Sequence, residues 1–595
     1  MPVPNDHEDY VPLELAPTLT AALARTVATR PDATAVRSHD GRLSYTWSEL
    51  AAAVDRWAAG FAGLGVRRGD KVALLLSNRP EFFAVDLALV RIGAVPFSLY
   101  ASSSPEQNAY SLKDSDARAV VAEHGLVGTL SGVALPAVRV LLDAEPGEGW
   151  LDPAAVHAAG ADVDLDAVPK PEPDDLLTMI YTSGTTGTPK GALISHRNLM
   201  HAADSTLRSV RVPAGTIIVS WLPTAHIGER TGGYCMTVVQ GFEAVTVADP
   251  RKVADLVPAI RPGYFYGPPR VFEKLRATFE TWLLGLDEAE QARVRAGLDA
   301  SLEQVRLEQA GRIVPDDVLA ASREARTLVF KPWRQEVGLD DLRIAIVATA
   351  PNPGPLMEFF HAVGIPMGEV YGLTESGAGG TAATADTIRI GTVGRAGPHM
   401  ELAIADDGEI LLRGPTLMVG YHNRPAETAQ AIDGDGWLHT GDLGEVDADG
   451  YLKVIGRKKE ILISSSGKNI SPVTVESAII SASPLINQVM CLGDARPYNV
   501  ALVVLDSEHA LTWARQRGLR FEGLADLSQA PELLQAVQEG VDAGNARLNR
   551  PEQVKRFHVL PVEWVPGSAE LTPTSKMRRG EIARKYSETI ERLYA

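Results

Sequence analysis

Short apolar runs alternate with helical patterns over the first quarter of the chain. Strand-like pieces at residues 35–37 and 43–45 flank Asp40-Gly41, which predicts a β-hairpin. Residues 82–93 carry apolar side chains at helical spacing, between compact apolar runs typical of buried strands. Strands that alternate with helices predict a parallel sheet with crossover helices. The strands of this layer are expected at residues 71–76, 95–97, 119–122 and 138–142.

The middle of the chain changes pattern three times. Residues 153–173 are rich in alanine, aspartate and proline, and we expect them to form a surface connector. Residues from about 270 to 330 are mostly helical and strongly charged, with Glu/Arg pairs at helical spacing, which predicts an exposed helical insertion with a scaffold role. Between residues 390 and 454, short alternating segments separated by glycine, aspartate and proline predict a β-rich subdomain. Further strands are expected at residues 216–220, 243–247 and 342–347.

The last part of the chain reads as a separate small domain of α+β type. Its strands are expected at residues 488–492 and 500–505, and its helices at residues 532–548 and 580–593. The predicted fold class is therefore α/β. A large N-terminal domain, residues 1–458, combines layered sheets and helices with a β-rich subdomain, and a small α+β domain occupies residues 459–595.

Composition and charge narrow the functional classes. The 595 residues are 45% hydrophobic and 22% charged, as in ordinary globular proteins. A net charge of −18 argues against a nucleic-acid partner and against simple electrostatic docking on anionic lipid. Cys235 and Cys491 lie far apart and belong to no metal-spaced cluster, which predicts a reducing compartment and no structural disulfide.

The N-terminal residues indicate a cytoplasmic location. The first ten residues are acidic and contain prolines, and they lack the basic and apolar regions of a signal peptide. No apolar run reaches the roughly 18 residues needed to span a bilayer. We therefore expect a cytoplasmic protein without a transmembrane segment.

Residues 179–191 have the chemistry of a phosphate-binding loop. Two apolar residues end a strand, and a run of glycines and hydroxyl residues leads to Lys190. Glycines allow a tight turn whose backbone N–H groups form a nest for an anion. The string is not a Walker loop, because Lys190 follows proline and precedes glycine. On composition alone, an ordinary Gly/Thr surface turn remains an equal alternative.

The complete string from Tyr181 to Gly191 resembles the phosphate-loop signature of the adenylate-forming superfamily, which includes acyl-CoA synthetases, adenylation domains and luciferases. Other stretches resemble further motifs of that superfamily in the expected order, from about residue 43 to the C-terminus. The resemblance implies that the loop binds the phosphates of ATP through Thr182, Ser183, Gly184, Thr185, Thr186, Gly187 and Lys190.

The motif at residues 371–375 implies sites for adenine and Mg²⁺. By resemblance, Tyr371 stacks on the base, with Gly372 and Thr374 beside it, and Glu375 holds Mg²⁺ together with Thr182. An aromatic face suits a purine, and a hard carboxylate suits a magnesium ion shared with phosphates. Thr182 and Glu375 are thereby also candidate catalytic residues.

Two other motifs concern the nucleoside. Ala350 lies in the adenine-flanking loop, residues 348–351, where relatives usually carry glycines, so the contacts to the base stay open. Residues 436–442 match the motif whose aspartate, here Asp442, accepts hydrogen bonds from both ribose hydroxyls. Arg457 would also reach the ribose or the phosphates.

The resemblance implies that the small domain is mobile. Lys459 would be the hinge, and Lys576 would bridge the substrate carboxylate and the α-phosphate. A mobile ammonium group supplies the charge neutralisation that two approaching anions require. Gly467 and Lys468 resemble the loop that lies near the pantetheine channel in relatives that use coenzyme A.

The acyl side resembles the long-chain acyl-CoA synthetase branch. Residues 222–230, which include His226, and residues 266–275 carry this resemblance. No aspartate stands between Leu222 and Arg230 to meet an amino-acid amine. The expected function is that of an AMP-forming acyl-CoA synthetase that uses ATP, Mg²⁺ and coenzyme A. Its expected substrate is a medium- or long-chain fatty acid, and such a substrate is compatible with peripheral membrane contact.

Three alternatives stay open at this point. An acyl-AMP ligase would load a carrier protein and not coenzyme A. A biosynthetic ligase would activate an aryl or polyketide acid. A binding or scaffold protein that retains the fold is the weakest alternative, because every charged catalytic position is present.

Overall fold

The computed structural model describes residues 13, 16–182, 188–348, 352, 354–465, 467–565, 567–572 and 576–595. We refer to residues up to 458 as the large domain and to residues 459–595 as the small domain. The predicted α/β class is confirmed. Parallel sheets and helices organise the large domain, and a three-stranded mixed sheet, a short two-stranded sheet and helices build the small domain.

The strands are, in chain order, β1 Thr34–Ser38, β2 Ser44–Thr46, β3 Lys71–Leu75, β4 Val95–Ser98, β5 Ala119–Ala122, β6 Val138–Leu141, β7 Leu176–Thr182, β8 Lys190–Ser195, β9 Ile217–Ser220, β10 Glu243–Thr246, β11 Tyr264–Gly267, β12 Ile344–Val347, β13 Met367–Glu369, β14 Thr381–Ala382, β15 Arg395–Ala396, β16 Glu401–Ile404, β17 Glu409–Arg413, β18 Gly420–Tyr421, β19 Leu438–Val446, β20 Leu452–Arg457, β21 Leu462–Ile463, β22 Asn469–Ile470, β23 Ile486–Leu492, β24 Asn499–Leu505 and β25 Val554–Leu560.

The α-helices are α1 Leu19–Thr29, α2 Trp47–Gly63, α3 Pro80–Arg91, α4 Pro105–Ser115, α5 Pro153–Ala159, α6 His196–Val210, α7 Met236–Gln240, α8 Val253–Ile260, α9 Pro269–Leu284, α10 Glu288–Gln309, α11 Asp316–Glu324, α12 Lys331–Glu336, α13 Gly354–Ala362, α14 Pro425–Ala431, α15 Pro472–Ile480, α16 Ser507–Gln516, α17 Leu524–Leu527, α18 Pro531–Asn545, α19 Arg579–Lys585 and α20 Ser587–Tyr594. The chain also contains two π-helical segments, Glu229–Cys235 and Ala325–Val329, and several short 3₁₀ segments.

Two parallel layers organise the large domain. The larger sheet has seven strands in the order β13-β12-β11-β9-β10-β1-β2, and its neighbours are parallel except for the hairpin of β1 and β2. The second sheet has the order β4-β3-β5-β6 and is parallel throughout. The predicted hairpin and the predicted parallel layer are both confirmed. The crossover from β3 to β4 is helix α3, in which ten of twelve residues are buried.

The phosphate-loop motif lies at the tip of a third sheet. Strands β7 and β8 pair antiparallel, with Thr182 opposite Lys190 at their ends, and β18 adds to the other edge of β8. The loop therefore closes a hairpin. Residues 183–187 of that loop lie outside the described part of the chain.

One segment differs from its prediction. Residues 153–173 were expected to form a surface connector, but they begin with helix α5, whose Val156 is fully buried. A Cβ atom at Gly60 of α2 would lie 2.5 Å from the Val156 carbonyl oxygen, so glycine permits close packing of α2 on α5. The prediction was wrong for residues 153–159, because small residues that serve helix packing resemble a connector in composition. Residues 161–173 are mostly exposed and contain no α-helix.

The predicted helices of the insertion are confirmed, but the insertion is not wholly exposed. Helices α9, α10 and α11 fill most of this stretch. Phe272 and Phe279 of α9 are fully buried, and the ring of Phe279 packs edge-on against Trp333 and Phe359. Helix α9 is therefore part of the core of the large domain, while α10 stays largely exposed.

A β-rich region and the small domain follow. Strands β16, β17, β19 and β20 form an antiparallel sheet, which confirms the predicted β-rich subdomain. In the small domain β24 pairs antiparallel with β23 and parallel with β25, a strand that the sequence reading missed. The helix expected at residues 580–593 is divided at Tyr586 into α19 and α20. Among the described residues, no helix is long and apolar enough to cross a membrane.

Candidate functional site

A cleft of about 2680 Å³ runs between the two domains, and residues of both domains line it. Most of the residues singled out in the sequence meet there, although they come from motifs hundreds of residues apart. The predicted site residues that line the cleft are Thr182, Lys190, His226, Tyr371, Gly372, Thr374, Glu375, Asp442, Arg457, Lys459 and Lys576.

Asp442 is held from two sides. The pairing of β19 with β20 places Asp442 opposite Arg457, and the Arg457 Nε atom lies 2.9 Å from Asp442 Oδ1. The Tyr371 hydroxyl donates a hydrogen bond of 2.6 Å to Asp442 Oδ2. Burial raises the pKa of Asp442, while Arg457 and Tyr371 oppose that shift. The carboxylate is thus oriented, and each oxygen keeps a lone pair for a further donor.

The loop after β13 brings Tyr371 and Glu375 to the carboxyl edge of the seven-stranded sheet, where α/β proteins commonly bind ligands. Gly372 is required there, because a Cβ atom would lie 2.4 Å from the Ala378 carbonyl oxygen. A short 3₁₀ turn, Thr374–Ser376, then turns the chain. The carboxylate of Glu375 is thereby directed toward the sheet that carries the phosphate loop, where Tyr421 binds it.

Tyr421 joins the predicted metal residue to the predicted phosphate residue. Its hydroxyl donates a hydrogen bond of 2.7 Å to Glu375 Oε1, and the Lys190 Nζ atom lies 4.8 Å from the centre of its ring. Sequence reasoning missed Tyr421, because its position depends on the pairing of β18 with β8 and on no motif.

The base of the phosphate loop is fixed by one helix. On α4, Tyr110 and Asp114 lie one turn apart. The Tyr110 hydroxyl donates to the Pro189 carbonyl at 3.0 Å, and Asp114 Oδ2 accepts from the Tyr181 hydroxyl at 3.0 Å. Arg424 pairs with Asp114 at 2.9 Å. Both ends of the loop are therefore held. The spacing of four residues between Tyr110 and Asp114, which places both on one face of a helix, is the sequence signal for this contact.

The donor set fits a magnesium ion shared with a substrate. Glu375 keeps its second oxygen, Oε2, besides the one that binds Tyr421. Among the described residues, no group of three or more His, Cys, Asp or Glu side chains could hold a metal. Mg²⁺ usually takes one or two protein carboxylates and completes its shell with water and phosphate oxygens. Thr182, the second candidate ligand, donates to the Lys190 carbonyl at 3.4 Å.

Lys576 reaches the cleft from the small domain. Its backbone is fixed to Thr572, which donates from its N–H to the Lys576 carbonyl at 2.8 Å and accepts the Lys576 N–H on Oγ1 at 3.1 Å. An isolated antiparallel bridge also pairs Leu571 with Met577. Residues 573–575 lie outside the described part of the chain.

The Lys576 ammonium group interacts with charges of the large domain. The side chain is exposed to the cleft, yet protein surrounds it on most sides, and this burial lowers its pKa. Arg457 lowers the pKa further, whereas Asp442 and Glu375 raise it. Burial brings the pKa of His226 to about 4, and the Lys576 charge acts in the same direction. The Lys576 ammonium group therefore lies near the residues that the sequence predicts to contact the ribose, the magnesium ion and the acyl group.

The residues on either side of Lys459 form ion pairs with different domains. The Lys458 ammonium group pairs with Asp407 and lies 3.1 Å from Glu409 Oε2, both in the large domain. Glu460 pairs with Arg579 of the small domain at 3.0 Å. Lys459 itself is exposed. Its two neighbours are therefore paired with residues on opposite sides of the domain boundary.

Gly467 and Lys468 are not brought into the cleft. Neither is among its lining residues, and both lie on an exposed turn in which the Gly467 N–H donates to the Ser464 carbonyl at 2.8 Å. In this orientation of the domains, Lys576 faces the site and the Gly467 turn does not. Ser183, Gly184, Thr185, Thr186, Gly187 and Ala350 lie outside the described residues.

The acyl-side motif forms a buried network. Glu229, at the start of a π-helical segment, accepts hydrogen bonds from the Ser220 hydroxyl at 2.6 Å and from the Tyr266 hydroxyl at 2.7 Å. Burial raises its pKa to about 7. His226 accepts the Gly228 N–H at 3.0 Å on Nδ1. The network holds Tyr266, a cleft-lining residue, in place, and sequence reasoning did not assign Glu229 this part.

The cysteines are buried thiols. Cys235 and Cys491 are both free, and burial raises their pKa values, that of Cys235 to about 12. A thiol whose pKa is raised is a poor nucleophile at neutral pH. Neither side chain is therefore suited to form an acyl-enzyme.

Comparison with known proteins identifies the family. A model of the AMP-binding enzyme family matches residues 23–422, and a model of the AMP-binding enzyme C-terminal domain matches residues 459–595. The chain is 41% identical to the fadD11 protein of Mycobacterium tuberculosis over 71% of this chain and 74% of that one. It is 34% identical to the long-chain-fatty-acid–CoA ligase FadD15 of Mycobacterium tuberculosis over 92% of both chains.

A solved structure shares the fold. The anthranilate CoA ligase AuaEII in complex with anthranoyl-AMP superposes with a TM-score of 0.72 over 97% of this chain and 98% of that one, at 20% identity. Together with the family models, this structure identifies the fold of the chain. The chain belongs to the AMP-binding enzyme family, a part of the adenylate-forming superfamily that its motifs resemble.

Proposed function

We propose that the protein is an ATP-dependent, AMP-forming acyl-CoA synthetase. The observation that carries this proposal is the position of Lys576, which comes from the small domain and lines the same cleft as Asp442, Arg457 and Glu375 of the large domain. The name of the relative FadD15 supports an acyl-CoA product. The nucleotide and the acid substrate would therefore both bind next to the Lys576 ammonium group.

The large domain would bind ATP. Lys190 and the loop that precedes it would bind the β- and γ-phosphates, Asp442 would accept the ribose hydroxyls, and Tyr371 would pack on the base. Glu375, with Thr182, would hold Mg²⁺, which when bound supplies positive charge to the phosphates. Arg457 would stay paired with Asp442 and point toward the ribose.

The first half-reaction needs no protein nucleophile. An oxygen of the substrate carboxylate bonds to the α-phosphorus of ATP, the bond from that phosphorus to the bridging oxygen breaks, and pyrophosphate leaves. Two anions must approach, and the Lys576 ammonium group would neutralise both. The product is an acyl-adenylate, a mixed anhydride that is activated for attack on its carbonyl carbon.

The second half-reaction would follow a rotation of the small domain about Lys459. The rotation would remove Lys576 from the cleft and bring the Gly467 and Lys468 turn into it. The sulfur of coenzyme A then bonds to the acyl carbonyl carbon, the bond from that carbon to the phosphate oxygen breaks, AMP leaves and the thiol proton passes to solvent. The anchors on either side of Lys459 support a hinge at this residue.

The acid is best matched by a medium- or long-chain fatty acid. The lining of the cleft that contains His226 also includes Ile227, Tyr264 and Tyr266, which suit an apolar chain. His226 is neutral at physiological pH, because its pKa is about 4. The two free thiols agree with a reducing compartment, and we place the reaction in the cytoplasm.

The test is a thioester assay with ATP, Mg²⁺ and free coenzyme A over short, long and aromatic acids. We expect AMP, pyrophosphate and acyl-CoA in equal amounts, with the highest kcat/KM for medium- or long-chain acids. Acyl transfer to a carrier protein but not to coenzyme A would favour an acyl-AMP ligase, and a preference for aromatic acids would favour a biosynthetic ligase. Absence of acid-dependent pyrophosphate exchange would contradict the proposal.

A further inference from the structure

An ion pair far from the hinge joins the two domains. The Arg270 Nη2 atom, at the start of α9 in the large domain, pairs with Oδ2 of Asp506 in the small domain. One helical turn further along α9, the Lys274 Nζ atom lies 3.7 Å from Glu508 Oε2. All four residues line the cleft, and the reaction scheme above uses none of them.

The Asp506 end of the pair is rigid. Asp506 follows the central strand β24 and caps helix α16, with Oδ1 accepting the His509 N–H at 2.9 Å. The His509 ring also reaches Oδ1, at 3.0 Å. Oδ2 is thereby left to face Arg270. The Asp506 side chain is only 7% exposed, so a partner from the other domain meets a carboxylate that is already oriented.

The Arg270 end is rigid as well. Arg270 follows β11 through Pro268 and Pro269, and α9 begins there. The Arg270 Nη1 atom lies 3.3 Å from Glu273 Oε2, so the guanidinium group is held within its own helix while Nη2 reaches across the cleft. Because α9 is packed into the core of the large domain, the cation is a fixed point of that domain.

Asp506 and Lys576 belong to one packed body. Leu502 and Val504 of β24 share a buried core with Leu571, five residues before Lys576. A rigid body that can turn about one hinge needs a second contact, away from the hinge, to define its orientation. An interaction that fixes Asp506 therefore also fixes the place of Lys576 opposite Asp442.

We propose that Arg270 and Asp506 form an interdomain latch that positions Lys576 for adenylate formation and opens before the thiol attacks. The proposal rests on the proposed function and concerns the same cleft. The latch contributes only in the orientation that presents Lys576, so its loss shifts the population toward the other orientation. Both are positioning residues, because they act through the place of Lys576.

The decisive variants are Asp506→Asn and Arg270→Gln, alone and combined. Asparagine retains the cap of α16, so the small domain stays folded. We expect each single variant to slow acid-dependent pyrophosphate exchange about tenfold, the size of a typical coupling between sites. Conversion of supplied acyl-adenylate and coenzyme A to thioester stays unchanged or rises. The double variant falls no further than either single one.

Two comparisons separate the latch from a structural role. Arg270→Lys keeps the charge and retains most of the exchange rate, whereas Arg293→Gln, in an exposed ion pair with Glu324, changes neither half-reaction. Unchanged exchange in both single variants would overturn the proposal. An equal fall in both half-reactions, or losses that multiply in the double variant, would also overturn it.

A readout of domain orientation is independent of activity. Fluorophores on cysteines introduced at the exposed positions Ser48 and Gln535 report the distance between the domains, since both natural cysteines are buried. We expect Asp506→Asn to shift the distribution of transfer efficiencies away from that of the parent protein. An unchanged distribution would contradict the latch, even if the parent protein fails the assay of the proposed function.

Discussion

The hydroxyl of Tyr371 donates a hydrogen bond of 2.6 Å to Oδ2 of Asp442, and this bond joins two motifs that lie 71 residues apart. Burial and the Asp442 charge both raise the pKa of Tyr371, so the phenol remains a donor at every physiological pH. The bond leaves Asp442 with a fixed orientation between Tyr371 and Arg457. It ties the proposed base-stacking ring to the proposed ribose carboxylate.

Removing that hydroxyl tests the link. In Tyr371→Phe the ring remains, but Asp442 loses a donor to a buried charge, an interaction of about 1.5–3 kcal/mol. We expect the KM for ATP to rise at least tenfold, with a smaller change in the KM for the acid. Steady-state kinetics with each substrate varied in turn measures both. Tyr498→Phe, which removes a hydroxyl bound to the Leu593 carbonyl, should leave both constants unchanged.

Two variants of Lys459 test whether the hinge depends on a flexible backbone or on the charge of the side chain. Lys459→Pro fixes φ at the residue where the anchor changes from one domain to the other. We expect pyrophosphate exchange to persist and thioester formation from supplied acyl-adenylate to fall. Lys459→Ala is the matched control, because it removes the ammonium group and leaves the backbone free. Equal turnover of the proline and alanine variants would refute a hinge at this residue.

A close approach between the domains offers a steric test. Gly567 of the small domain has φ +82°, and a Cβ atom there would lie 2.5 Å from the Ser102 carbonyl oxygen of the large domain. Gly567→Ala should therefore disfavour the orientation that presents Lys576, and pyrophosphate exchange should fall more than thioester formation from supplied acyl-adenylate. Gly518→Ala has the same kind of backbone strain with open space around it, and it should leave the ratio of the two half-reactions unchanged.

Glu229 predicts a pH dependence of stability. Burial raises its pKa from 4.5 to about 7 in the folded protein, so the folded state binds more protons than the unfolded state between these values. Its contribution to the free energy of unfolding is full below pH 4.5 and is lost as the pH rises through 7. The loss amounts to about 3 kcal/mol, because one pKa unit corresponds to about 1.4 kcal/mol.

Urea unfolding at several pH values measures this contribution. The difference in unfolding free energy between the parent protein and Glu229→Gln should decrease from pH 5 to pH 7 and stay level above that. Glu303→Gln, at an exposed position of α10, should show no such trend. A difference that is constant over the whole range would contradict the assignment of the raised pKa to Glu229.

The sequence predicted the site better where the signal was local. The phosphate-loop string, the Asp442 motif and the Lys576 motif each lie within about ten residues, and the family resemblance could assign them. The parallel layer was predictable because its apolar runs are short and regularly spaced. The Tyr110–Asp114 clamp and the Tyr421 bridge were not, since they depend on α4 and β18 meeting strands that are distant in the chain.

Packing details and orientation also escaped prediction. Four of the seven residues of helix α5 are alanines, and the close contact between Gly60 and Val156 shows how this helix packs on α2. The pair of Arg270 with Asp506 joins elements that no periodicity relates. The relative orientation of the two domains decides whether Lys576 or the Gly467 turn faces the cleft. The pattern of residues along the sequence does not determine this orientation.

The measurement that tests the central claim most directly is the pair of half-reactions in Lys576→Ala. The account predicts that acid-dependent pyrophosphate exchange falls at least a thousandfold, a loss of about 4 kcal/mol of transition-state stabilisation. Conversion of supplied acyl-adenylate to acyl-CoA should remain within a factor of about two of the parent protein, and Lys585→Ala should behave as the parent in both assays. An equal loss in both half-reactions, or exchange that survives, would contradict it.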